Sequence, residues 1–541
     1  MSAELNQFIN AGQQALQQQN WPLLEQISGQ MLQKFPKVAQ SHYLRGVVCR
    51  VKRDVPQAID AFIQGLELDD KRYDIAVELA NMYSLSRQNS KAAELLDQYV
   101  AALDNSPRFA DLAGTIYTEI GLSDRALPLF KRAYELQPEA QIFKANLATC
   151  AVFTGDIDLG ERLYRELIEV NPSHRKNHYQ LARLKKAENL DHINQMLSVI
   201  QGSDDTARDL PIYFALGKEY EDLQMWEQSF EFYQKACDGV KAQTGHDVQE
   251  DIDLIDNVIA SFDSAYLERM AAHAHADKKA VKVPSTSATP IFILGLPRTG
   301  TTLVERILSS HHDVVSVGET MFLQMAVRQS AAAAGGASSG ASIDASVMKR
   351  LAEQDPRTIA SDYMQSIEYR LGDEEFFIEK LPFNYLYTGL IAAAWPDARI
   401  VHLVRNPMDA CFSMYKQVFT WAYKYSYSLQ DLGRYYIAYD RLRQHWKSTL
   451  GDRFVEVSYE SLVGDQEAQT RQLLEALELP FDEACLAFEK NSAPSATASS
   501  VQVRSKVHQG SVGKWRRYEE QLQPLYQMLT EAGIDLDSFD A

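Results

Sequence analysis

Small residues recur every 34 positions through the first half of the chain, and this period limits the fold more than any other feature. A small side chain is needed where two helix backbones approach each other closely. The same interval separates a second set of alanines, which marks a second helix, so tandem helix pairs are predicted. The first set is Gly12, Gly46, Ala80, Gly114, Ala148 and Ala182, and the second is Ala58, Ala92 and Ala126.

The segment Pro107–Ala140 contains the full pattern of one unit, with Gly114, Tyr117, Ala126 and Phe130 in order. This pattern resembles the tetratricopeptide repeat, a helix–turn–helix unit of about 34 residues. The register slips after the sixth small residue of the series and then resumes. We expect about six or seven units over residues 3–245.

Tetratricopeptide units stack into a right-handed solenoid with a concave face. The resemblance implies that this face binds a protein or peptide. The alternative is a scaffold that only supports its neighbour, and both interpretations stay open at this point.

The periodicity changes at Ile291, where short apolar runs begin to alternate with helical stretches. Buried strands between helices predict a parallel sheet with helices on both faces. We therefore predict a multidomain chain: an all-α solenoid at residues 3–245, a helical linker at 246–289, and an α/β domain with a parallel sheet at 290–535. The predicted strands are Ile291–Leu294, Val314–Val317, Phe376–Ile378, Ile400–Val404 and Phe454–Val457.

The first predicted strand runs into Gly295, and four residues separate it from Gly300 and a helix that begins near Thr301. This P-loop-like order of strand, glycine turn and helix binds phosphate on backbone N–H groups at a helix N-terminus. A loop for nucleoside triphosphates has a lysine where Thr301 stands. Here Arg298 lies inside the turn instead. The loop therefore predicts a site for a nucleotide anion, but not for a metal-bound triphosphate.

Polar residues follow each of the other predicted strands. Ligands of open α/β sheets bind beyond the carboxyl ends of the strands, and the residues there include Glu319, Lys380, Arg405 and Tyr459. Ser413 follows Arg405 by eight positions, about two helical turns. A guanidinium and a hydroxyl at that spacing can meet on one anion.

Composition excludes several classes of function. The net charge of −19 argues against general nucleic-acid binding, and an anionic ligand must meet a local basic cluster.

The five cysteines are dispersed without a CxxC pair, so neither a disulfide framework nor a zinc site is predicted. We also expect no metal at His311 and His312. Without a signal peptide or an apolar run of about 18 residues, we expect a soluble, cytoplasmic protein that binds no membrane.

The loop Pro297–Thr302, together with Arg405 and Ser413, resembles the sulfotransferases that use 3′-phosphoadenosine 5′-phosphosulfate (PAPS). The resemblance spans roughly residues 290–520. It is strongest to the protein-tyrosine sulfotransferases and to bacterial proteins that fuse tetratricopeptide repeats to a sulfotransferase domain. It implies PAPS as co-substrate, no metal, and protein tyrosine as acceptor, with a carbohydrate or lipid hydroxyl second. Because the related enzymes often dimerise, it also implies a homodimer.

The resemblance further assigns roles to residues. Glu319 would be the catalytic base, with Lys380 and Ser499 as the other catalytic residues. Three groups of residues would hold the co-substrate. The 5′-phosphosulfate would be bound by Arg298, Thr299, Gly300, Thr301 and Thr302, and the 3′-phosphate by Arg405 and Ser413. The rest of the nucleotide would be surrounded by Tyr459, Arg504 and Lys514.

Two departures from the tyrosylprotein enzymes concern the substrates. Gln417 stands where those enzymes have an arginine near the 3′-phosphate, and residues 321–325 lack the basic residues that those enzymes have there.

The alternative to an enzyme is a non-catalytic repeat scaffold with a degenerate nucleotide fold, and retention of Glu319, Lys380 and Arg405 argues against it. Thr301 in place of the loop lysine argues against a kinase or other nucleoside triphosphatase.

Overall fold

The computed structural model describes residues 3–203, 205–276, 288–333, 345–419, 422–495, 497 and 502–539. The chain divides into two compact units, one formed by Met1–Thr154 with Ser366–Tyr369, and the other by Gly155–Gln365 with Arg370–Ala541. The predicted domain boundaries at 245 and 289 stay predictions, and the division between the two units falls earlier, within the repeats.

The first unit consists of helices of similar length joined by short turns. Its helices, α1 to α9, are Ala3–Gln17, Trp21–Lys34, Ala39–Val51, Val55–Leu68, Tyr73–Leu85, Asn89–Tyr99, Pro107–Glu119, Ser123–Leu136 and Gln141–Thr154.

The second unit begins with seven further helices. These are α10 to α16: Ile157–Val170, Arg175–Leu184, Asp191–Ile200, Thr206–Asp222, Trp226–Thr244, Val248–Ser261 and Ser264–Ala276.

The recurring glycines lie where paired helices cross, as predicted. A Cβ on Gly46 would lie 2.3 Å from Phe62 Cε1, and one on Gly114 would lie 2.9 Å from Phe130 Cε1. In the second unit Gly217 meets the Tyr233 ring in the same way, at 2.7 Å. The glycine of the first helix thus makes room for an aromatic ring sixteen residues later in the second helix, which confirms the helix-pair interpretation.

The same 34-residue interval also places helix caps. Asn20, Asp54 and Asp156 occupy equivalent positions before the second helix of their units, and each accepts a hydrogen bond from a backbone N–H three residues on, at 3.2 Å. Such caps satisfy N–H groups that have no partner within the helix. This periodicity of the helix caps was not predicted.

The rest of the second unit is an α/β domain. Its strands, β1 to β5, are Thr289–Gly295, Val314–Gly318, Phe376–Lys380, Arg399–Val404 and Phe454–Ser458. Its helices, α17 to α26, are Thr301–Leu308, Phe322–Ala333, Ala345–Leu351, Pro356–Ile367, Thr388–Ala394, Pro407–Tyr415, Leu429–Leu450, Tyr459–Gly464, Gln466–Ala476 and Glu519–Glu531.

The five strands form one sheet in the order β2-β3-β1-β4-β5, and all neighbouring pairs are parallel. The predicted parallel sheet is therefore confirmed. Ile293 of the central strand pairs with Lys380 of β3, and Gly295 pairs with Leu403 of β4. The segments that follow these strands consequently meet at one edge of the sheet.

Both faces of the sheet are buried. On one face Ile291, Ile293 and Val401 pack with Val304 and Ile307 of α17. On the other face, the Phe292 ring lies 5.4 Å from that of Trp395 and 6.4 Å from that of Tyr363. Apolar strands covered on both sides explain why the runs in the sequence are continuous rather than alternating.

Helices α13 to α15 pack directly on the α/β domain. Ser229 Oγ lies 2.9 Å from the hydroxyl of Tyr518, and Cys237 Sγ donates to the carbonyl of Tyr415 at 3.1 Å. Lys416 Nζ forms an ion pair of 2.6 Å with Glu221. The last repeat helices and the α/β domain therefore share one interior. Within the described parts of the chain, no helix combines the length and the apolar character needed to cross a bilayer.

Candidate active site

A cavity of about 1170 Å³ opens at the carboxyl edge of the sheet. It exceeds the roughly 300–1,000 Å³ of ordinary small-ligand pockets, so it has room for two substrates. The α/β domain lines it with the segments after all five strands, and helices α11, α13 and α15 line it from the side of the repeats.

The glycine loop after β1 requires both of its glycines. Gly295 has φ +141°, and a Cβ there would lie 2.7 Å from the carbonyl oxygen of Leu403. Gly300 has φ +102°, and its Cβ would lie 2.7 Å from Cδ2 of Tyr459. Gly300, Thr301 and the next residue open into the cavity at the N-terminus of α17. Backbone N–H groups at this position form an anion site.

The side chains of the loop take different positions. Thr299 is buried and donates its hydroxyl to the carbonyl of Leu296 at 2.7 Å, so it shapes the loop from behind. Thr302 faces the cavity and lies 3.5 Å from Thr497 Oγ1. Arg298 has φ +68° and donates to Gln502 at 3.0 Å. An arginine in left-handed backbone is costly, and such strain concentrates at functional sites.

Arg405 joins two segments of the site. Its guanidinium donates to the carbonyl of Arg298 at 2.8 Å and to that of Ser511 at 2.6 Å, and it lies 4.7 Å from the Tyr459 ring centre. Arg405 Nε is buried and finds no acceptor among the described residues. A buried cationic N–H without an acceptor is suited to bind an anionic ligand. Ser413 lines the same cavity.

Several cations crowd this end of the cavity. Burial, together with the charges of Arg405 and Arg183, lowers the pKa of Arg298 to about 10. Burial and the neighbouring cations Lys416, Arg517 and Arg405 lower the pKa of Lys514, despite attraction to Glu221. Like charges brought together in this way favour a bound anion that relieves their repulsion.

Lys380 connects two carboxylates beside the loop. It is fully buried; its ammonium donates to Glu319 and lies 3.3 Å from Glu305 Oε2. Burial alone would lower the pKa of Lys380, but the two carboxylates outweigh burial and raise it. Glu319 is about one-third exposed and lines the cavity, so its carboxylate faces the cavity while Lys380 holds it from behind.

A second, neutral link lies next to this ion pair. Thr320 Oγ1 lies 2.9 Å from Glu379 Oε2, and the hydroxyl of Tyr363 donates to the same oxygen at 2.8 Å. Burial raises the pKa of Glu379 to about 8, although both hydrogen bonds act in the opposite direction. No role was predicted for Glu379, which only its place at the end of a strand distinguished.

The structure brings together most of the predicted co-substrate residues, with exceptions. Tyr459 and Lys514 line the cavity with the glycine loop. Arg504 instead lies against Gly155, where an added Cβ would be 2.6 Å from its guanidinium carbon. Its position does not support a contact with the nucleotide. Ser499 lies outside the described residues.

Asp409, near the start of α22, was not predicted. It accepts hydrogen bonds from the backbone N–H groups of Gly513, at 2.6 Å, and Trp515, at 3.0 Å. These bonds fix the segment that carries Lys514 beside Arg405. A buried aspartate one turn after an arginine is a weak sequence signal, because its partners lie about one hundred residues away.

The repeats supply cavity residues that were not predicted from the sequence either. Tyr179 and Arg183 of α11 and Lys218 of α13 line the same space as Arg298. The Tyr179 hydroxyl lies 3.5 Å from Gln417 Nε2. No motif marks these residues, since they reach the site only through the packing of the repeat helices on the α/β domain.

Aromatic side chains surround the part of the cavity near Glu319. The Tyr423 ring lies 4.9 Å from Phe419, 5.8 Å from Phe383 and 6.3 Å from Tyr425. These residues and Tyr387 line the cavity, and so do the carboxylates of Glu250 and Asp251. Arg328 and Lys424 line the cavity as well, and Asp251 Oδ2 lies 2.6 Å from His246 Nε2, so this end is aromatic and carries charges of both signs.

One group of possible metal ligands lies elsewhere in the described residues. Donor atoms of His311, His312 and Asp482 fall within 4.8 Å of one another. His311 Nε2, however, faces the carbonyl of Pro480 at 2.9 Å, and its Nδ1 accepts from the N–H of Asp313 at 3.1 Å. Both ring nitrogens are engaged, so His311 has no lone pair to offer. The prediction that the protein binds no metal stays a prediction.

Comparison with known proteins agrees with this architecture. A model of the sulfotransferase family matches residues 290–483. An uncharacterized protein of Aquifex aeolicus (strain VF5) is 27% identical over 433 residues, which cover 79% of this chain and 55% of the relative. The chain thus spans about half the length of the curated relative it matches.

Two solved structures resemble parts of the chain at low TM-score. The sulfotransferase domain of the Synechococcus PCC 7002 olefin synthase is 19% identical, with a TM-score of 0.30, and the match covers 48% of this chain and 99% of that one. The tetratricopeptide-repeat protein YrrB is 14% identical, with a TM-score of 0.28, over 38% of this chain and 96% of that one.

Four observations agree with one another: the 34-residue period, the crossing glycines, the sheet order and the family match. Residues 290–483 match the sulfotransferase family, and the helix pairs before them have the 34-residue period that is typical of tetratricopeptide repeats.

Proposed function

We propose that this protein transfers the sulfuryl group of PAPS to a hydroxyl of an acceptor. One observation carries the proposal: Glu319, held by the buried Lys380, faces the same cavity as the cations around the glycine loop. A carboxylate that can accept a proton and a basic site for a nucleotide anion are the two components that this reaction needs.

The residues fit the co-substrate at both of its anionic ends. The glycine loop, the N-terminus of α17 and Arg298 suit the 5′-phosphosulfate, while Arg405 and Ser413 suit the 3′-phosphate. Tyr459, beside Gly300, and Lys514 complete the nucleotide site. Thr301 offers no ammonium for the terminal phosphates of ATP, which favours PAPS over a triphosphate.

Bound PAPS supplies an activated sulfuryl group, and the protein supplies position and charge. Glu319 accepts the proton of the acceptor hydroxyl as the new bond forms, a contribution of about 10²–10⁴ in rate. Lys380 orients Glu319, and Arg298 stabilises the charge that develops on the leaving oxygen. We assign Ser499 to the same leaving oxygen on the basis of the family resemblance.

The acceptor end favours a phenolic hydroxyl, with protein tyrosine as the leading candidate. Phe383, Phe419 and Tyr423 offer edges and faces to an aromatic ring. We assign binding of the protein that carries this tyrosine to the repeats.

Calorimetry with adenosine 3′,5′-bisphosphate, AMP and magnesium ATP tests the co-substrate. We expect the bisphosphate to bind about 10–100-fold more tightly than AMP, because hydrogen bonds to a charged group contribute about 1.5–3 kcal/mol. Equal affinities, or tighter binding of magnesium ATP, would exclude the proposal.

Transfer of labelled sulfate from PAPS into a cell lysate tests the acceptor. Label on tyrosine residues of proteins is the expected result. Label recovered only in carbohydrate or lipid would exclude the tyrosine assignment and keep the reaction. If neither protein, carbohydrate nor lipid accepts the label, the result would indicate a non-catalytic scaffold.

A further inference from the structure

Helix α11 is the irregular element of the repeat region. It spans ten residues, Arg175–Leu184, whereas first helices of earlier pairs, such as α3 and α5, have thirteen. Beyond Leu184 the chain is non-helical up to Asp191, and Asp222 of α13 accepts a hydrogen bond of 2.8 Å from the N–H of Ala187. This is the point at which the 34-residue register slips.

The same short helix delivers side chains to the cavity. Tyr179 and Arg183 are four residues apart, so they lie on one face of α11, and both line the cavity with Arg298 and Gln417. The Arg183 guanidinium lies 5.4 Å from the centre of the Tyr179 ring, and the Tyr179 hydroxyl lies 3.5 Å from Gln417 Nε2. The irregular repeat thus reaches the basic end of the site, together with α13, whose Lys218 also lines the cavity.

The charge of Arg183 acts on Arg298 in the glycine loop. Arg183 is one of the neighbours that lower the pKa of Arg298, after burial and Arg405. Burial raises the pKa of the Tyr179 phenol, while Arg183 and Arg298 both act to lower it. The tyrosine is therefore under the electrostatic influence of two guanidinium groups from different parts of the chain.

Other cations near this end are already paired with carboxylates. Lys218 Nζ lies 2.6 Å from Asp222 Oδ2, and Lys416 Nζ lies 2.6 Å from Glu221 Oε2. Their charges are compensated within the protein. Arg183 donates to the side-chain oxygen of Gln180 at 3.4 Å and lines the cavity with Arg298.

We propose that Arg183 and Tyr179 bind the phosphate groups of the nucleotide, so that the repeat region forms part of the co-substrate site. Arg183 donates N–H groups to phosphate oxygens, and the Tyr179 hydroxyl donates alongside it. The inference rests on the proposed function and deepens it, because the repeats then bind the co-substrate as well as the acceptor protein.

Calorimetry on the full-length protein with adenosine 3′,5′-bisphosphate tests this inference. Arg183→Gln should weaken binding about tenfold or more, and Tyr179→Phe should weaken it by a smaller factor. Arg162→Gln is the matched control, because Arg162 lies on the neighbouring helix α10 with its side chain 61% exposed. The control should bind within about twofold of the wild type.

Arg183→Lys keeps the charge and guards against misfolding of the glutamine variant. It should retain more affinity than Arg183→Gln, and circular dichroism should show wild-type helix content for both. Titration with 3′-AMP and 5′-AMP identifies the phosphate that Arg183 meets, since a loss confined to one mononucleotide supports the proposal.

The outcomes separate the two proposals. Wild-type affinity in folded Arg183→Gln and Arg183→Lys, with preference for the bisphosphate over AMP intact, would overturn the role of Arg183 and leave the proposed function standing. A wild-type protein without that preference would overturn both.

Discussion

Thr320 Oγ1 lies 2.9 Å from Glu379 Oε2, and their neighbours in the sequence, Glu319 and Lys380, are also in contact with each other. Two links therefore join the end of β3 to the segment that carries the proposed base, one between neutral groups and one between charges. Because burial raises the pKa of Glu379 to about 8, the neutral link exists at physiological pH. The turn at Glu319 is held from both sides, and its carboxylate keeps one orientation.

The raised pKa of Glu379 makes stability depend on pH. From about pH 4.5 to about pH 8, the folded protein keeps a proton that the unfolded chain loses, so the free energy of unfolding falls as pH rises. Glu379→Gln should remove up to about 4 kcal/mol of this decline between about pH 5 and pH 8. Urea unfolding at several pH values measures it. Glu375→Gln, at an exposed position just before β3, is the control, and equal slopes in both variants would contradict the prediction.

Loss of the proposed base should affect the chemical step alone. Glu319→Gln should bind adenosine 3′,5′-bisphosphate like the wild type and transfer sulfate about 10²–10⁴ more slowly, because the amide cannot accept the acceptor proton. Glu305→Gln is the comparison, since Glu305 also contacts Lys380 yet does not line the cavity. Its rate should fall by less than about tenfold. Full activity in Glu319→Gln would rule out the assigned base.

The glycine loop should tolerate no side chain at position 300. Gly300→Ala places a Cβ 2.7 Å from Tyr459 in left-handed backbone, and should cost about 1–3 kcal/mol of stability together with nucleotide affinity. Gly464→Ala meets no atom within 4 Å and should change stability by less than about 1 kcal/mol. Denaturant unfolding and calorimetry measure both effects; similar behaviour of the two variants would refute the explanation.

Ser413 should contribute to recognition of the 3′-phosphate. Ser413→Ala should weaken the bisphosphate about tenfold and leave 5′-AMP unchanged, because the hydroxyl is expected to donate to the phosphate on the ribose only. Ser448→Ala, an exposed serine on α23, is the matched control. A parallel loss for both nucleotides would show that Ser413 acts on the fold of the cavity instead.

The fold could be predicted because its signals are local. Crossing glycines such as Gly46 and Gly114 repeat with the helix pair, and strands buried on both faces appear as short apolar runs. The position of Glu319, Arg405 and Tyr459 also followed from the sequence, since the ends of parallel strands meet at one edge of the sheet.

The remaining parts of the site depend on contacts between distant segments. Arg504 was expected at the nucleotide but lies against Gly155, and Lys380 holds Glu319 from behind. Tyr179 and Arg183 belong to a helix whose sequence reads as an imperfect repeat. Which face of such a helix meets the cavity is decided by tertiary packing, for which a single sequence gives no period or motif.

The cavity wall contributed by α11, α13 and α15 limits how such an array can change. The lining residues all follow Thr154, so additional units inserted ahead of Gly155 would leave the shape of the cavity intact. Loss or exchange of the units behind it would remove one wall of the cavity. The array can therefore gain units at its N-terminal end only, because its other end is constrained by the shape of the cavity.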